Sequence, residues 1–276
     1  MRAIASMVTK IVWRDAQGGR LESRTGDQPS DQPEQPNHLG KHRMAFAAFP
    51  GVGNVGKLLT DGLVDGLDST LVAELFHPEM PPQAKMTGGL LTPPHLTMHS
   101  ISLGEENILV ISGEAQPISP CGQFEMAEMI LTTVAELGCE YMIVLAGLSS
   151  EPTCEEVYAI CADDNIKALF ADGGGEIAVD RPSGGVIGLA GLLASLGPVN
   201  AISSGCVVAA TIGSSADIHA AERLRLALQK WLGLTLPIPI ATTEAIADRI
   251  ESLIDKYPDA EMPSEFLEED PSSLYA

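Results

Sequence analysis

Three glycines follow the first strongly apolar run of the chain, at a spacing that could hold a dinucleotide. The run covers 44–49, and Gly51, Gly53 and Gly56 after it match the pattern G-x-G-x-x-G. In dinucleotide-binding turns the glycines let the backbone approach a pyrophosphate, and an acidic residue at the end of the next strand binds the ribose. Glu74 stands at that place. A proline precedes the first glycine, and such turns are common in proteins that bind no cofactor. The pattern therefore favours a plain strand–turn–helix unit over a cofactor site.

The same turn comes close to a second phosphate-binding motif. Gly51, four residues, Gly56 and Lys57 nearly spell a P-loop. The next residue is Leu58, where the motif needs a Ser or Thr hydroxyl to hold Mg²⁺, so nucleotide hydrolysis is disfavoured. A small-molecule or nucleotide-binding enzyme that uses the turn from Gly51 to Lys57 is kept as the alternative function. No catalytic residue, cofactor or metal is assigned.

Histidine and cysteine offer weaker signals. His95 and His99 have the spacing of zinc ligands on a helix, but Leu96 replaces the glutamate of HExxH and the two preceding prolines favour an extended segment. Cys121 falls in the first turn of a predicted helix, where the dipole could lower its pKa, but no histidine lies near it in sequence. We expect incidental histidines and an inert thiol.

The last three residues could form a docking motif. Leu274, Tyr275 and Ala276 supply an apolar anchor, an amphipathic ring and a terminal carboxylate. They follow a segment, 258–276, that holds three prolines, six acidic residues and no basic residue. This composition predicts a flexible acidic arm that becomes ordered when the triplet docks into a pocket with a basic floor.

Strand and helix patterns alternate between these two candidate sites. Apolar runs predict strands, and periodic segments with capping residues predict helices. The predicted strands are 44–49, 70–76, 97–103, 107–113, 140–147, 157–162 and 198–212, and the predicted helices are 54–66, 119–138, 186–196, 216–232 and 243–257. The alternation predicts an open α/β sheet with helices between its strands.

Charge and composition exclude several classes of partner. The net charge is −21: residues 1–43 hold seven basic and five acidic residues, and the rest hold nine and thirty-two. Such a body would repel phosphate backbones, so we expect no nucleic-acid partner and no anionic membrane partner. The segment 1–43 is predicted to be a disordered extension because most of it is Gly, Pro, Gln, Ser and charge. Five cysteines without a C-x-x-C pair suggest neither a disulfide framework nor a zinc knuckle, which fits a cytoplasmic protein.

Several segments, in order, resemble the proteasome assembly chaperone 2 family. They are the strand-end motif 49–53, Gln116 with Pro117, 122–125, the strand end 145–148 and the glycine motif 184–193. The resemblance covers 44–257 and leaves 1–43 uncovered. The chain departs from the family at 145–147, where a Gly-Gly is usual, and in its acidic balance.

The resemblance implies a single domain over 44–257, a doubly wound α/β/α sandwich related to the phosphorylase-like fold, without an identifiable retained active site. It implies homo-oligomers or pairing with a paralogue. Archaeal relatives carry a C-terminal hydrophobic-Tyr-x motif that inserts between α subunits of the proteasome core particle. By that correspondence Leu274 is the hydrophobic element, Tyr275 is the tyrosine, and the carboxylate of Ala276 faces a lysine of the pocket. The chain is therefore predicted to be a non-enzymatic adaptor or assembly chaperone that docks on the α ring.

Overall fold

The computed structural model describes residues 9–15, 19–25, 41–104, 106–182, 185–213, 215–238, 245–246 and 248. Within them the strands are β1 (Lys10–Arg14), β2 (Arg20–Thr25), β3 (His42–Ala48), β4 (Ser69–Phe76), β5 (Lys85–Thr87), β6 (Leu90–Thr92), β7 (Leu96–Leu103), β8 (Glu106–Gly113), β9 (Tyr141–Ser149), β10 (Val157–Cys161) and β11 (Ser203–Thr211). The α-helices are α1 (Val55–Gly66), α2 (Pro120–Glu136), α3 (Asp164–Asp172), α4 (Gly188–Leu196) and α5 (Ile218–Leu232).

Nine strands form one mixed sheet, in the order β10-β11-β9-β3-β8-β7-β4-β1-β2. Four consecutive strands of this order run parallel to one another, namely β11, β9, β3 and β8. The remaining pairings in the sheet are antiparallel. The parallel strands are nearly all apolar because helices cover both of their faces. β5 and β6 form a separate two-stranded hairpin.

Two helical layers cover the sheet. Along β3, Ala45 and Ala47 belong to the core cluster shared with α2 and α4, whereas Met44 and Phe46 belong to the cluster shared with α1, α3 and α5. This alternation follows from the twofold period of a strand. The predicted α/β/α sandwich is confirmed.

Local capping sets the limits of the helices. The Ser119 hydroxyl accepts a hydrogen bond from the Gly122 amide at 3.0 Å, and Pro120 occupies the first helical position of α2. The Asp217 carboxylate caps α5 by accepting from the Ala220 amide at 2.9 Å. The helix ends at Gly233, whose φ of 68° places it in the left-handed region that suits glycine.

The structure of the N-terminal segment differs from the prediction. The expected disorder of 1–43 is wrong for β1 and β2, because β1 pairs antiparallel with β4 and buries Ile11 and Trp13 almost completely. Three consecutive apolar residues are too short a signal to stand out beside the polar segment that follows. Once β4 presents an unpaired edge, however, they supply a strand with a buried face.

The structure also adds elements that were not predicted. α3 begins where the Asp163 carboxylate accepts from the amides of Asn165 and Ile166, at 2.9 and 3.1 Å. The hairpin β5–β6 lies in the segment 77–96, where no strand or helix is predicted. The strand predicted over 198–212 is β11 alone, preceded by a 3₁₀ turn at Gly197–Asn200. Apart from 245–246 and 248, the helix predicted over 243–257 lies outside the described residues.

No helix in the described part of the chain is both long enough and apolar enough to cross a membrane.

Candidate functional site

The terminal triplet Leu274, Tyr275 and Ala276, with the whole arm 258–276, lies outside the described residues. The described chain last contacts the domain at Ile246, which is buried in the core cluster of α1 and α5. A Cβ atom at Gly62 in α1 would lie 4.0 Å from the Ile246 Cδ1 atom. Ile246 therefore lies on the α1/α5 face of the sheet.

The glycine-rich turn lies at the carboxyl end of β3. Its backbone passes through a 3₁₀ turn at Val52–Asn54 before α1 begins, with Gly53 at φ 63° and Asn54 at φ 47°. The Asn54 side chain donates to the Ser215 carbonyl at 2.7 Å, and the Asp217 amide donates to the Gly53 carbonyl at 2.9 Å. These bonds fix the turn to the start of α5.

Close packing accounts for two of the three glycines. A Cβ atom at Gly53 would lie 2.7 Å from the Thr211 hydroxyl oxygen, and one at Gly56 would overlap the Leu145 carbonyl of β9. At Gly51 the nearest atom to such a Cβ is the Phe49 carbonyl oxygen at 3.8 Å, so this position has room for a side chain. Gly53 and Gly56 are needed for the helix to approach the sheet.

Lys57 and Glu74, the two charged residues of the nucleotide-binding hypotheses, each form an ion pair within the chain. The Lys57 ammonium donates to the Asp61 carboxylate at 2.7 Å, and both side chains are about nine-tenths buried between α1 and the sheet. Ser112 donates to the same carboxylate at 3.3 Å. Glu74 accepts from the Arg14 guanidinium, with Nε at 3.0 Å, so the strand that the sequence did not reveal contacts the proposed ribose-binding acid.

The other predicted chemical groups are separate from one another. His95 precedes β7 and His99 lies within it, so the four-residue spacing is extended and does not follow a helix turn. Cys121 is exposed beside Glu125, and that carboxylate raises the thiol pKa. Among the described residues no group of three His, Cys, Asp or Glu side chains could hold a metal ion.

The later glycine motif forms the N-terminus of α4. The Gln116 side-chain oxygen accepts from the Leu189 amide at 3.1 Å, and Gly188 lies beside it with a φ of 74°. A Cβ atom at Gly191 would overlap the Val186 carbonyl. Gln116 and the glycine motif, which are about 70 residues apart in sequence, thus form one structural unit.

One exposed apolar element was missed by the sequence analysis. Met86, Leu90 and Leu91 of the β5–β6 hairpin expose 68%, 74% and 71% of their surface. The signal was available, because a Gly-Gly pair such as Gly88 and Gly89 is typical of a two-residue hairpin turn.

Comparison with known proteins gives the family. The model of the PAC2 family matches residues 45–257. The uncharacterized protein MJ1210 of Methanocaldococcus jannaschii is 27% identical over 218 residues, which cover 78% of this chain and 83% of that protein.

Solved structures share the fold. PbaB of Pyrococcus furiosus, an archaeal proteasome activator, has a TM-score of 0.68 at 20% identity, covering 91% of this chain and 99% of that one. PbaA of the same organism, an archaeal homolog of proteasome-assembly chaperone, has a TM-score of 0.66 at 23% identity, covering 80% and 96%. Because the family match spans well over half of the sequence, the chain belongs to the PAC2 family.

Proposed function

We propose that this chain is a non-enzymatic docking protein of the proteasome core particle, an adaptor or assembly-chaperone-like protein that acts in the cytoplasm. Membership of the PAC2 family, together with the terminal triplet Leu274, Tyr275 and Ala276, carries the proposal. The similar folds of a proteasome activator and of an assembly-chaperone homolog support it.

The triplet provides the contact with the α subunits. Leu274 supplies an apolar anchor, and Tyr275 supplies a ring that fills a pocket while its hydroxyl remains available for a hydrogen bond. The Ala276 carboxylate pairs with a basic group on the pocket floor, as in the capture of C-terminal carboxylates by other recognition modules. The thirty-two acidic residues of 44–276, against nine basic ones, keep the chain from binding nucleic acid and anionic membranes.

The arm gives the triplet its reach. The 19 residues after Tyr257 have a root-mean-square span of roughly 25 Å if they behave as a flexible coil. One short motif binds weakly because little surface is buried. Several arms on a homo-oligomer, or on a pair formed with a paralogue, raise the apparent affinity through effective concentration.

The test is co-elution of purified core particle with the full-length chain and with a chain that lacks residues 275–276. We expect the full-length chain to co-elute and the shortened chain to elute alone, with the same melting temperature for both. Equal co-elution of the two would remove the motif from the account, and no co-elution of the full-length chain would overturn the proposed function.

A further inference from the structure

A groove of about 310 Å³ lies between the end of β10 and helix α4. Its lining includes Ile160 and Cys161 from β10 and Leu192 and Ser195 from α4, and no lining residue is charged. Pockets that bind ligands measure roughly 300–1,000 Å³, so a groove at the lower end of this range holds one or two large side chains. On a chain with a net charge of −21, a groove without charge favours an apolar, uncharged ligand.

A lysine lies close to this groove. Lys167 is exposed on α3, which begins three residues after Cys161. The pKa of the Cys161 thiol is raised to about 11, mainly by burial and also by Asp163, and the charge of Lys167 opposes part of this effect. The Asp163 carboxylate already accepts from three backbone amides, at 2.9, 3.1 and 3.0 Å. Lys167 forms no ion pair within the described ranges of the chain, so its ammonium is available to a carboxylate that enters the groove.

The last six residues of the sequence have the chemistry that this groove requires. Residues 271–276 carry no charged side chain, and they end in Leu274, Tyr275 and the carboxylate of Ala276. A leucine and a tyrosine side chain bury apolar surface, and the tyrosine hydroxyl still finds a polar partner. The single carboxylate forms a charge-assisted hydrogen bond with an ammonium beside the groove.

The other apolar segments outside the described residues are poorer occupants. Phe266 and Leu267 lie in the same arm, but four acidic residues flank them between 265 and 270, and burying these charges is costly. The segment 26–40 holds a single aliphatic residue apart from its prolines and no aromatic residue. Residues 1–8 precede β1, which is seven strand positions from β10, roughly 34 Å at about 4.8 Å per position. Eight extended residues span at most about 29 Å.

The terminal triplet is within reach of the groove of its own chain. Ile246 is buried beside α1 and α5, 28 residues before Leu274. A flexible coil of that length has a root-mean-square span of roughly 29 Å. The edge strand β10 is three strand positions from β3, which α1 follows, a distance of roughly 14 Å. Helix α3, which carries Lys167, packs on the same face of the sheet as Ile246 and so lies on the way to the groove.

We infer that the groove between β10 and α4 holds the terminal triplet of the same chain when no proteasome is bound. Leu274 and Tyr275 occupy the apolar groove, and the Ala276 carboxylate pairs with Lys167. Because the contact is intramolecular, the effective concentration of the triplet is on the order of millimolar, which partly fills even a weak site. For its consequence this inference rests on the proposed function: a triplet held in the groove is withheld from the α ring until the proteasome competes for it.

Hydrogen exchange of the purified full-length chain, without proteasome, tests the inference. The amides of 160–162 and 186–195 should exchange about twofold more slowly in the full-length chain than in a chain that lacks residues 275–276, as expected for a half-filled site. The amides of α5 should exchange equally in both. Tyr275→Ala should lose the protection, whereas Phe266→Ala, a matched change in the same arm, should keep it.

The lysine is tested in the same experiment. Lys167→Ala should weaken the protection because the terminal carboxylate loses its partner. Lys230→Ala removes an exposed lysine on α5 and is the matched control, which should keep the wild-type exchange. Equal exchange of the full-length and shortened chains, or equal protection in Tyr275→Ala and the wild type, would overturn the inference. Protection that weakens on dilution of the protein would also overturn it, since the triplet would then occupy another copy.

A change in the groove separates this inference from the proposed function. Ser195→Glu places a carboxylate in the groove and should abolish the protection, whereas Thr132→Glu, at an exposed position of α2, should not. With the triplet released, Ser195→Glu should bind the core particle about twofold more tightly than the wild type. Full protection in Ser195→Glu would contradict the inference. The exchange measurement contains no core particle, so its result does not depend on whether the triplet binds the proteasome, and the two proposals fail separately.

Discussion

The Gln116 side chain accepts a hydrogen bond from the Leu189 amide at 3.1 Å and so caps α4 from a loop 73 residues away. The cap replaces one of the intrahelical partners that the first turn of a helix lacks. It also joins the segment after β8 to α4.

Replacing Gln116 with alanine is expected to lower the stability by about 1 kcal/mol, because the Leu189 amide loses its acceptor. The melting temperature should fall by roughly 2–4 °C for a domain of this size. Gln116→Glu is the matched control: it keeps the acceptor and places a negative charge at a helix N-terminus. Thermal unfolding of the three proteins checks this, and an equal loss for the alanine and glutamate variants would contradict the capping role.

Two glycines of the turn should respond differently to the same substitution. Gly56→Ala forces a Cβ atom into the Leu145 carbonyl and should cost about 1–3 kcal/mol. Gly51→Ala meets its nearest atom at 3.8 Å with an extended backbone and should change stability by less than about 0.5 kcal/mol. Urea unfolding measures both.

The same pair of variants tests the alternative function. A nucleotide, dinucleotide or phosphate that binds this turn should stabilise the wild type by about 2.7 kcal/mol at 100 times its Kd. The melting temperature of the wild type should rise accordingly. We expect no such shift. A shift that Gly51→Ala abolishes would instead assign a ligand to the turn.

The N-terminal strand should contribute to the stability of the domain. Trp13 is 1% exposed in β1, which lies between β4 and β2, so Trp13→Ala is expected to cost about 3–5 kcal/mol. Lys10→Ala, an exposed position in the same strand, is the control and should be nearly neutral. If both variants unfold at the wild-type denaturant concentration, β1 does not form part of the folded core.

His42, which is buried, and His99, which is half-buried, should make the domain less stable in mild acid. Burial lowers the pKa of His42 and of His99, and for His99 the nearby Asp65 and Asp61 carboxylates oppose part of this effect. The Ser100 hydroxyl is hydrogen-bonded to His42 Nε2 at 2.8 Å, and Nδ1 of each ring has no partner in the described part of the chain.

The direction follows from proton linkage. The unfolded chain takes up protons at the ordinary histidine pKa of about 6.5, whereas the folded chain resists them to lower pH. Stability is therefore complete above that pKa and falls as the pH decreases below it. Unfolding measured from about pH 7.5 to 5.5 should show this loss in the wild type and a flatter profile in the double variant His42→Gln, His99→Gln. Equal slopes would exclude these histidines as the cause.

The central part of the fold could be predicted from sequence because its signals are local. Apolar runs such as 141–148 and caps such as Ser119 are complete within a few residues, and they gave the parallel strands and α2 in the right order. β1 could not be predicted, since its three apolar residues make sense only beside the edge of β4, about 60 residues away.

The contacts at the candidate site also differ in whether the sequence alone could predict them. The Lys57–Asp61 pair has the i,i+4 spacing of a helix and was accessible to sequence reasoning. The contact between Gln116 and Leu189, and the approach of Gly56 to Leu145, depend on packing between distant segments. The terminal triplet came from the sequence alone, and its role stays a prediction.

The most direct test of the proposed function is the affinity of the full-length chain for immobilised proteasome core particle, with Tyr275→Ala as the variant. Phe266→Ala is the matched control, since it removes an aromatic ring from the same arm outside the triplet. We predict binding that is at least about 10-fold weaker for Tyr275→Ala, as expected when an aromatic anchor is truncated, and nearly unchanged for Phe266→Ala. Equal affinities of all three proteins would contradict docking through the C-terminal motif.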